Sequence, residues 1–312
     1  MNTHFDLVVI IPALNEEKTI GMTIDEINEV LGNPTIIVVN NNSSDSTATV
    51  AKQKGAKVIF EPSPGKGRAF RAALAHLPKG FSSVFMVDGD CTYEIAPILD
   101  ALQDIHRFGV DLVVGKRVLT NNNIKFRKGH KFGNKIFSFI NKVLHSSEIE
   151  DSLSGWRLMS REFIYTFPAF SKGFELETEL NAHARNFDMT ISNINVEYRN
   201  RIGDSLSKLS TYKDGIRIFI SNIKIALRNR PLAFISAPSL FFLTLSMPLI
   251  YRPVSMYLKF GTVPTIPSLI VGMNLLIGGI TFITIGYLIE EQRRNYIAIT
   301  RQNYYFKFIT DQ

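Results

Sequence analysis

A short apolar run ends in two carboxylates at Val84-Phe85-Met86-Val87-Asp88-Gly89-Asp90. Four consecutive apolar residues with valine at both ends predict a strand that is covered on both faces. In an open α/β sheet, ligands bind just past the carboxyl ends of the strands, and Gly89 allows a tight turn there. Asp88 and Asp90 can share Mg²⁺ or Mn²⁺, because these cations prefer oxygen ligands. Taken alone, the stretch fits a metal site and a solvated turn equally well.

The first half of the chain alternates predicted strands with predicted helices. Strands are expected at 7–11, 35–39, 57–60, 81–87 and 112–114. This alternation predicts a doubly wound, mainly parallel α/β sheet. Gly65-Lys66-Gly67-Arg68 opens a helix after the third strand. The two glycines would let the backbone approach a phosphate, and Lys66 would supply positive charge.

The charge and cysteine content narrow the class of protein. The 312 residues include 35 Lys and Arg against 28 Asp and Glu, and the net charge of +7 favours anionic partners. A single cysteine, Cys91, excludes an internal disulfide and a cysteine-based zinc site, as is typical of a reducing compartment. The polar N-terminus predicts no signal peptide.

A basic amphipathic segment precedes the most apolar part of the chain. Residues 205–231 carry six Lys or Arg against one acid, Asp214, and their apolar residues recur at helical spacing. This pattern predicts a helix lying on an anionic membrane surface. A helix that docks on a partner protein is the alternative.

Two uncharged stretches follow, at 232–251 and 260–289. Each is long enough to span about 30 Å of hydrocarbon at about 1.5 Å per helical residue. The basic residues that follow are Arg293, Arg294, Arg301 and Lys307. The positive-inside rule then predicts an integral membrane hairpin with the catalytic domain and both termini cytoplasmic. The predicted order is a catalytic domain at 1–204, a surface helix at 205–231, two spans within 232–289, and a tail at 290–312.

The order of the motifs resembles glycosyltransferase family 2 with the GT-A fold, over residues 5–231. The opening motif of the family resembles Ile11-Pro12-Ala13-Leu14-Asn15-Glu16-Glu17. The turn at 40–47 resembles the family's nucleotide-contacting turn, and Asp88-Gly89-Asp90 resembles its metal-binding triplet. The resemblance implies a nucleotide-sugar donor and Mg²⁺ or Mn²⁺ held by the triplet. The residues expected to bind the donor are Pro12, Ala13, Asn15, Glu16, Asn40, Asn42, Asp45, Lys66, Asp88, Gly89 and Asp90.

Later motifs are similar to the branch that makes polyprenyl-phosphate sugars, the dolichyl-phosphate mannosyl- and glucosyltransferases. They are Asp151-Ser152-Leu153-Ser154-Gly155-Trp156-Arg157, Phe174-Glu175-Leu176-Glu177-Thr178-Glu179-Leu180 and the stretch from Tyr198 to Gly215. This branch implies inverting transfer of one sugar to a lipid phosphate at the cytoplasmic face. Asn40 stands where the family usually has aspartate, and Thr92 where mannosyltransferases often have glutamine, so the donor stays open between UDP- and GDP-sugars.

The chemistry of such a transfer requires positive charge near the acceptor. A phosphate monoester is already anionic at neutral pH, since its second pKa is about 6, so no strong base is needed. The segment from Lys116 to Lys135 has seven Lys or Arg and no acid. A solvated basic loop is the alternative. The candidates for the acceptor phosphate are Arg117, Arg127, Lys131, Arg201 and Lys208, and the predicted catalytic residues are Asp88, Asp90, Arg117 and Glu179.

Other functions and partners stay open on these residues. Glu177 and Glu179 either position a substrate or cap the helix that follows. A transferase that acts on a hydroxyl of a glycolipid or glycan would need a base such as Glu179. A second alternative is a non-catalytic, nucleotide-binding membrane component. The expected partners are the nucleotide sugar, the polyprenyl phosphate and the membrane, with no nucleic acid, and homo-oligomerisation stays open.

Overall fold

The computed structural model describes residues 6–119, 149–173, 175–200 and 231–310. These residues fall into two compact units, one within 1–222 and one within 223–312. The first unit is an α/β sheet domain, and the second is a pair of long helices.

The first unit begins with the predicted alternation of strands and helices. Its elements are β1 (Leu7–Ala13), α1 (Ile20–Leu31), β2 (Thr35–Asn40), α2 (Thr47–Gln53), β3 (Lys57–Phe60), α3 (Lys66–Leu74), β4 (Ser83–Met86), α4 (Ile98–Phe108), β5 (Leu112–Leu119), β6 (Arg157–Ser160), α5 (Arg161–Thr166), α6 (Leu176–Asn186) and β7 (Ile191–Tyr198). The five predicted strands are all present. The periodicity reveals neither β6 nor β7, because β6 is short and β7 is only partly buried.

The described strands form one seven-stranded sheet in the order β3-β2-β1-β4-β6-β5-β7. The pairs among β1, β2, β3 and β4 are parallel, as is the pair of β5 with β7. Strand β6 alone runs the other way and lies between β4 and β5. The mainly parallel GT-A sheet is therefore confirmed, and the carboxyl ends of β1, β2, β4 and β5 share one edge.

Strand β4 is the buried centre of this sheet. All four of its residues are buried between β1 and β6. Phe85 packs edge-on against Trp156 with ring centroids 4.8 Å apart. Beyond the strand, the Gly89 carbonyl accepts a hydrogen bond from the Thr19 hydroxyl at 2.8 Å. The turn that carries the two aspartates is thus fixed to the start of α1.

The second unit contains α7 (Pro231–Phe260) and α8 (Ile266–Thr310). Both contain stretches long and apolar enough to cross a membrane, with mean hydropathies of 1.6 and 2.0. Gly261 follows the last residue of α7, and its φ of +66° is the left-handed conformation typical of a helix terminus. Pro267 then lies in the first turn of α8, where its missing N–H costs no helical hydrogen bond.

The helix ends differ from the predicted spans. Helix α8 begins at Ile266 instead of residue 260 and continues to Thr310, so most of the predicted tail at 290–312 is helical. Arg252 and Lys259, which follow the first predicted span, lie within α7. The predicted surface helix at 205–231 lies outside the described residues, except for its last residue.

Two glycines, Gly272 and Gly279, allow the two long helices to approach each other closely. A Cβ atom on Gly272 would lie 2.8 Å from the Ile250 side chain, and one on Gly279 would lie 2.8 Å from Leu243. The Ser239 hydroxyl donates to the Gly279 carbonyl at 2.7 Å. Small residues and a hydroxyl at the contact are typical of helices packed in an apolar solvent.

We expect Gly279→Leu to weaken the helix pair by about 1–3 kcal/mol, because the new side chain overlaps Leu243. Gly278→Leu is the matched control, since a Cβ there meets no described atom within 4 Å. Reversible unfolding in mixed micelles measures both variants. Equal stability of the two would show that the glycine contact does not hold the pair.

Candidate functional site

Two polar turns interlock at the carboxyl edge of the sheet. The Asn15 amide donates to the Ser43 hydroxyl at 3.0 Å, and the Ser44 amide donates to Asn15 Oδ1 at 2.8 Å. The Glu16 amide donates to the Thr47 hydroxyl at 2.8 Å. Asn15 adopts a φ of +52°, which asparagine tolerates. The structure therefore brings together, in and beside these turns, the predicted donor residues Pro12, Ala13, Asn15, Glu16, Asn40, Asn42 and Asp45.

Asp45, in the second of these turns, is stabilised as a carboxylate. Partial burial favours its neutral acid, but hydrogen bonds from Thr47 and from the Glu17 amide hold the pKa of Asp45 below its usual value. The Glu17 amide lies 3.1 Å from Oδ2, and the Thr47 amide lies 3.0 Å from Oδ1. The negative charge is thus fixed in place at neutral pH.

Asp90 is buried and oriented by the residue two positions later. Its Oδ1 accepts from the Thr92 hydroxyl at 2.6 Å and from the Thr92 amide at 3.3 Å, and Asp90 is only 7% exposed. The sequence assigns no role to Thr92 beyond its departure from the family pattern. A hydroxyl two residues after a carboxylate is the signal that could have identified it.

Asp88 is held from two sides. Its Oδ1 lies 2.6 Å from the Lys66 ammonium. On the other side, a Cβ atom added to Gly155 would overlap Asp88 Oδ2. Gly155 in turn donates its amide hydrogen to the Tyr93 hydroxyl at 2.9 Å. The orientation of Asp88 therefore depends on a lysine, a glycine and a tyrosine from three different segments.

Lys66 joins Asp88 to a second carboxylate. Its ammonium also lies 2.6 Å from Glu177 Oε1, and the side chains of Lys66 and Glu177 are both more than nine-tenths buried. Burial favours the neutral amine, but the charges of Asp88 and Glu177 raise the pKa of Lys66 above its ordinary value. The other Glu177 oxygen is buried and has no hydrogen-bond partner among the described residues. The three groups together carry one net negative charge.

The predicted role of Gly65 and Gly67 is wrong. Their free space is filled by the chain's own backbone, since a Cβ on Gly65 would overlap the Lys172 carbonyl and one on Gly67 would overlap that of Ser171. The Gly67 amide donates to Gly173 at 3.2 Å. These glycines let the 171–173 loop pack against α3. The Gly65 and Gly67 amides donate to Asn41 Oδ1 and to the Gly173 carbonyl, so they are not free to bind a phosphate.

The 151–157 loop is braced by a buried arginine that sequence reasoning overlooks. The Arg157 guanidinium donates to the Ser154 and Ser152 carbonyls, each at 3.0 Å, and to Asn181 Oδ1 at 2.6 Å. Arg157 is 0% exposed, and burial lowers its pKa to about 10. The signal was an arginine directly after a tryptophan in an apolar stretch, where a charge needs several partners.

Arg117 already has an anionic partner. Its Nε lies 2.6 Å from Asp151 Oδ2, and its Nη2 lies 2.8 Å from Oδ1. The guanidinium also lies over the Tyr198 ring at 5.4 Å. Burial opposes both charges, but the mutual hydrogen bonds raise the pKa of Arg117 and lower that of Asp151. The neighbouring Lys116 is paired with Glu150 at 2.5 Å, so acids from another segment offset the start of the basic stretch.

Glu179 anchors a loop. Its two oxygens accept from the Phe170 amide at 2.9 Å and from the Ser171 amide at 2.8 Å, and Glu179 is 6% exposed. Its carboxylate thus holds the loop before α6. Its predicted catalytic role stays a prediction, as do the roles of Arg127, Lys131, Arg201 and Lys208, which lie outside the described residues.

The chemistry of Asp88 and Asp90 fits a hard divalent cation. Both offer carboxylate oxygens at one turn, and Thr92 and Lys66 hold them in fixed orientations. Among the described residues, no group of three or more acidic, histidine or cysteine side chains could hold a metal ion. A cation here would therefore need further ligands from a bound substrate or water.

The sheet order is that of a GT-A fold, and its carboxyl edge carries the acidic pair Asp88 and Asp90. The family model for glycosyl transferase family 2 matches residues 8–167, about half of the chain. The chain belongs to glycosyltransferase family 2.

Its relatives extend the match beyond that segment. "Glycosyltransferase AglJ" of Haloferax volcanii is 28% identical over 235 residues, 75% of this chain and 76% of the relative. "Dolichyl-phosphate hexose transferase" of the same organism is 28% identical over 228 residues, 73% of this chain and 97% of the relative. The predicted similarity to the polyprenyl-phosphate branch is thereby confirmed.

Solved structures share the fold. Glucosyl-3-phosphoglycerate synthase from Mycobacterium tuberculosis, in complex with Mn²⁺, UDP-glucose and phosphoglyceric acid, has a TM-score of 0.56 and 22% identity. The match covers 72% of this chain and 80% of that one. The same enzyme has also been crystallised with Mg²⁺ and UDP.

We expect Gly155→Ala to lower kcat/KM for sugar transfer by about 100-fold, because its methyl group displaces the Asp88 carboxylate. Steady-state kinetics on the full chain measures the loss. Leu153→Ala is the control, since this side chain lies in the same loop and is 36% exposed. Unchanged kinetics in Gly155→Ala would show that Asp88 need not keep its position.

Proposed function

We propose that this chain transfers one sugar, with inversion, from a UDP- or GDP-linked donor to the phosphate of a membrane polyprenyl phosphate at the cytoplasmic face. The observation that carries the proposal is that one loop, 151–157, contacts both Asp88 of the acidic pair and Arg117. Gly155 lies against Asp88, and Asp151 binds Arg117. A site for a nucleotide diphosphate and a site for a phosphate acceptor would then be adjacent.

The acidic edge suits the donor. Asp88 and Asp90 would hold Mg²⁺ or Mn²⁺, which offsets the negative charge that develops on the leaving diphosphate. The 12–17 and 40–47 turns, already joined by hydrogen bonds, would receive the nucleoside. The structural neighbours crystallised with Mn²⁺ or Mg²⁺ and UDP support this assignment.

The basic end of β5 suits a phosphate acceptor. A phosphate oxygen is a ready nucleophile at neutral pH, because the second pKa of a monoester is about 6. Arg117 would hold this phosphate through charge-assisted hydrogen bonds. A hydroxyl acceptor would instead need a base, and both oxygens of the candidate Glu179 are already bound by backbone amides. The geometry therefore favours the phosphate acceptor.

The two apolar helices support a lipid acceptor. A polyprenyl chain keeps its phosphate at the membrane surface, so an enzyme anchored by α7 and α8 meets its substrate there. We propose 1–204 as the catalytic domain and 232–289 as the anchor, with both termini cytoplasmic. The name of the "Dolichyl-phosphate hexose transferase" relative supports the same acceptor class.

A screen of nucleotide sugars tests this function. The full chain in nanodiscs is given each donor with a polyprenyl phosphate, and products are identified by mass. The matched control acceptor is the corresponding polyprenol, which has a hydroxyl in place of the phosphate. We expect a product of one added sugar only with the phosphate. Transfer to the polyprenol, or no product with any donor, would contradict the proposal.

The proposed metal site predicts how three substitutions change sugar transfer or Mn²⁺ affinity. Asp90→Asn should abolish transfer, as should EDTA, because the cation loses a carboxylate ligand. Thr92→Val should weaken Mn²⁺ binding by about tenfold, since it removes the hydroxyl that orients Asp90. Thr92→Ser keeps that hydroxyl and should bind Mn²⁺ like the wild type. Manganese titration followed by electron paramagnetic resonance measures the affinities.

Thermal unfolding without metal confirms that each of these variants is folded. Full activity of Asp90→Asn, or of the wild type in EDTA, would remove the metal from the reaction.

A further inference from the structure

Two of the five N–H groups of the Arg117 guanidinium donate to Asp151. Arginine has five N–H donors on a planar fork. The Nε and Nη2 donors form the edge that binds Asp151. Among the described residues, the side-chain hydrogen bonds of Arg117 go to Asp151 alone, and the side chain is 33% exposed. The outer edge, which includes Nη1, is therefore available to a second anion.

Asp151 is itself held in place. Besides the two guanidinium donors, it accepts from the Arg117 backbone amide at 3.3 Å, and its side chain is 17% exposed. The Tyr198 ring lies under the guanidinium at 5.4 Å. A carboxylate along one edge and an aromatic face below leave the guanidinium little rotational freedom. The direction of its outer edge is set before any substrate binds.

The Arg117 and Asp151 pair is neutral as a unit. The pair therefore attracts an anion only weakly at long range. What it contributes is the fixed direction of the guanidinium N–H groups. A phosphate can accept two parallel hydrogen bonds from the outer edge only when that edge faces it. An unrestrained arginine would spend part of its time in other rotamers.

We propose that Asp151 is a positioning residue, which aims the outer edge of Arg117 at the phosphate of the acceptor. This inference rests on the proposed function. The alternative role for the Asp151 carboxylate is to compete with the phosphate for Arg117. The two roles predict opposite changes in the acceptor KM when the carboxylate is removed.

The neighbouring ion pair provides a matched control. Lys116 directly precedes Arg117, and Glu150 directly precedes Asp151. The Lys116 ammonium lies 2.5 Å from Glu150 Oε2. Their side chains are 45% and 51% exposed, so solvent screens their interaction. Removing the Glu150 charge changes the local net charge as much as removing that of Asp151, but leaves the orientation of Arg117 intact.

The experiment compares Asp151→Asn with Glu150→Gln in the full chain, in nanodiscs that contain polyprenyl phosphate. We expect Asp151→Asn to raise the acceptor KM by about tenfold or more, with the donor KM unchanged. Glu150→Gln should stay within about twofold of the wild type. An acceptor KM that is unchanged or lower in Asp151→Asn would overturn the inference, and so would equal effects in both variants.

A double-mutant cycle tests whether Asp151 acts through Arg117, and Arg117→Lys is a second variant that leaves Asp151 unchanged. Arg117→Lys keeps the charge but has no planar edge to aim, so it should raise the acceptor KM. Adding Asp151→Asn to Arg117→Lys should then have little further effect, and additive effects would overturn the inference. Binding of UDP and of GDP by each variant reports on the donor half of the site and shows that the variant is folded. A wild-type chain that binds one of these nucleotides but transfers no sugar to polyprenyl phosphate would instead overturn the proposed function itself, and the inference with it.

Discussion

The buried ammonium of Lys66 is the contact on which the site depends. It lies between Asp88 at the end of β4 and Glu177 on α6, and Lys66 itself opens α3. One charge therefore joins three elements at the edge of the sheet. Without it, two carboxylates would face each other in a largely buried place, and both would repel the diphosphate of a donor. The ion pair thus fixes the geometry and limits the negative charge.

The sheet and its polar edge could be predicted because they follow from local patterns. Apolar strands that alternate with helices specify a parallel sheet, and a parallel sheet collects its strand ends at one side. The contacts across that edge could not be predicted. Lys66 and Glu177 are 111 positions apart, and Arg117 and Asp151 are 34 apart. Sequence periodicity does not indicate pairings between such distant residues. The predicted role of Gly65 and Gly67 is wrong for the same reason, because the 171–173 backbone that packs against them is distant in sequence.

The same distinction holds for the two long apolar helices. Their existence could be predicted from the length of the uncharged stretches, since about 20 apolar residues form a helix that can span hydrocarbon. Their ends depend on backbone geometry, namely the left-handed Gly261 after α7 and Pro267 in the first turn of α8. Arg252 follows the first uncharged stretch but lies within α7, since the end of an apolar stretch does not require the helix to end.

The single reversed strand has a consequence for how such an enzyme can change. Because β6 runs against its neighbours, the chain leaves β5 at Leu119 and re-enters the sheet at Arg157 on the same side. The segment between these residues starts and finishes next to the acidic edge. Its length and composition can therefore be exchanged without altering the register of any strand. The pairing of β6 with β4 and β5 therefore fixes both strand ends at the acidic edge, whatever sequence joins β5 to β6.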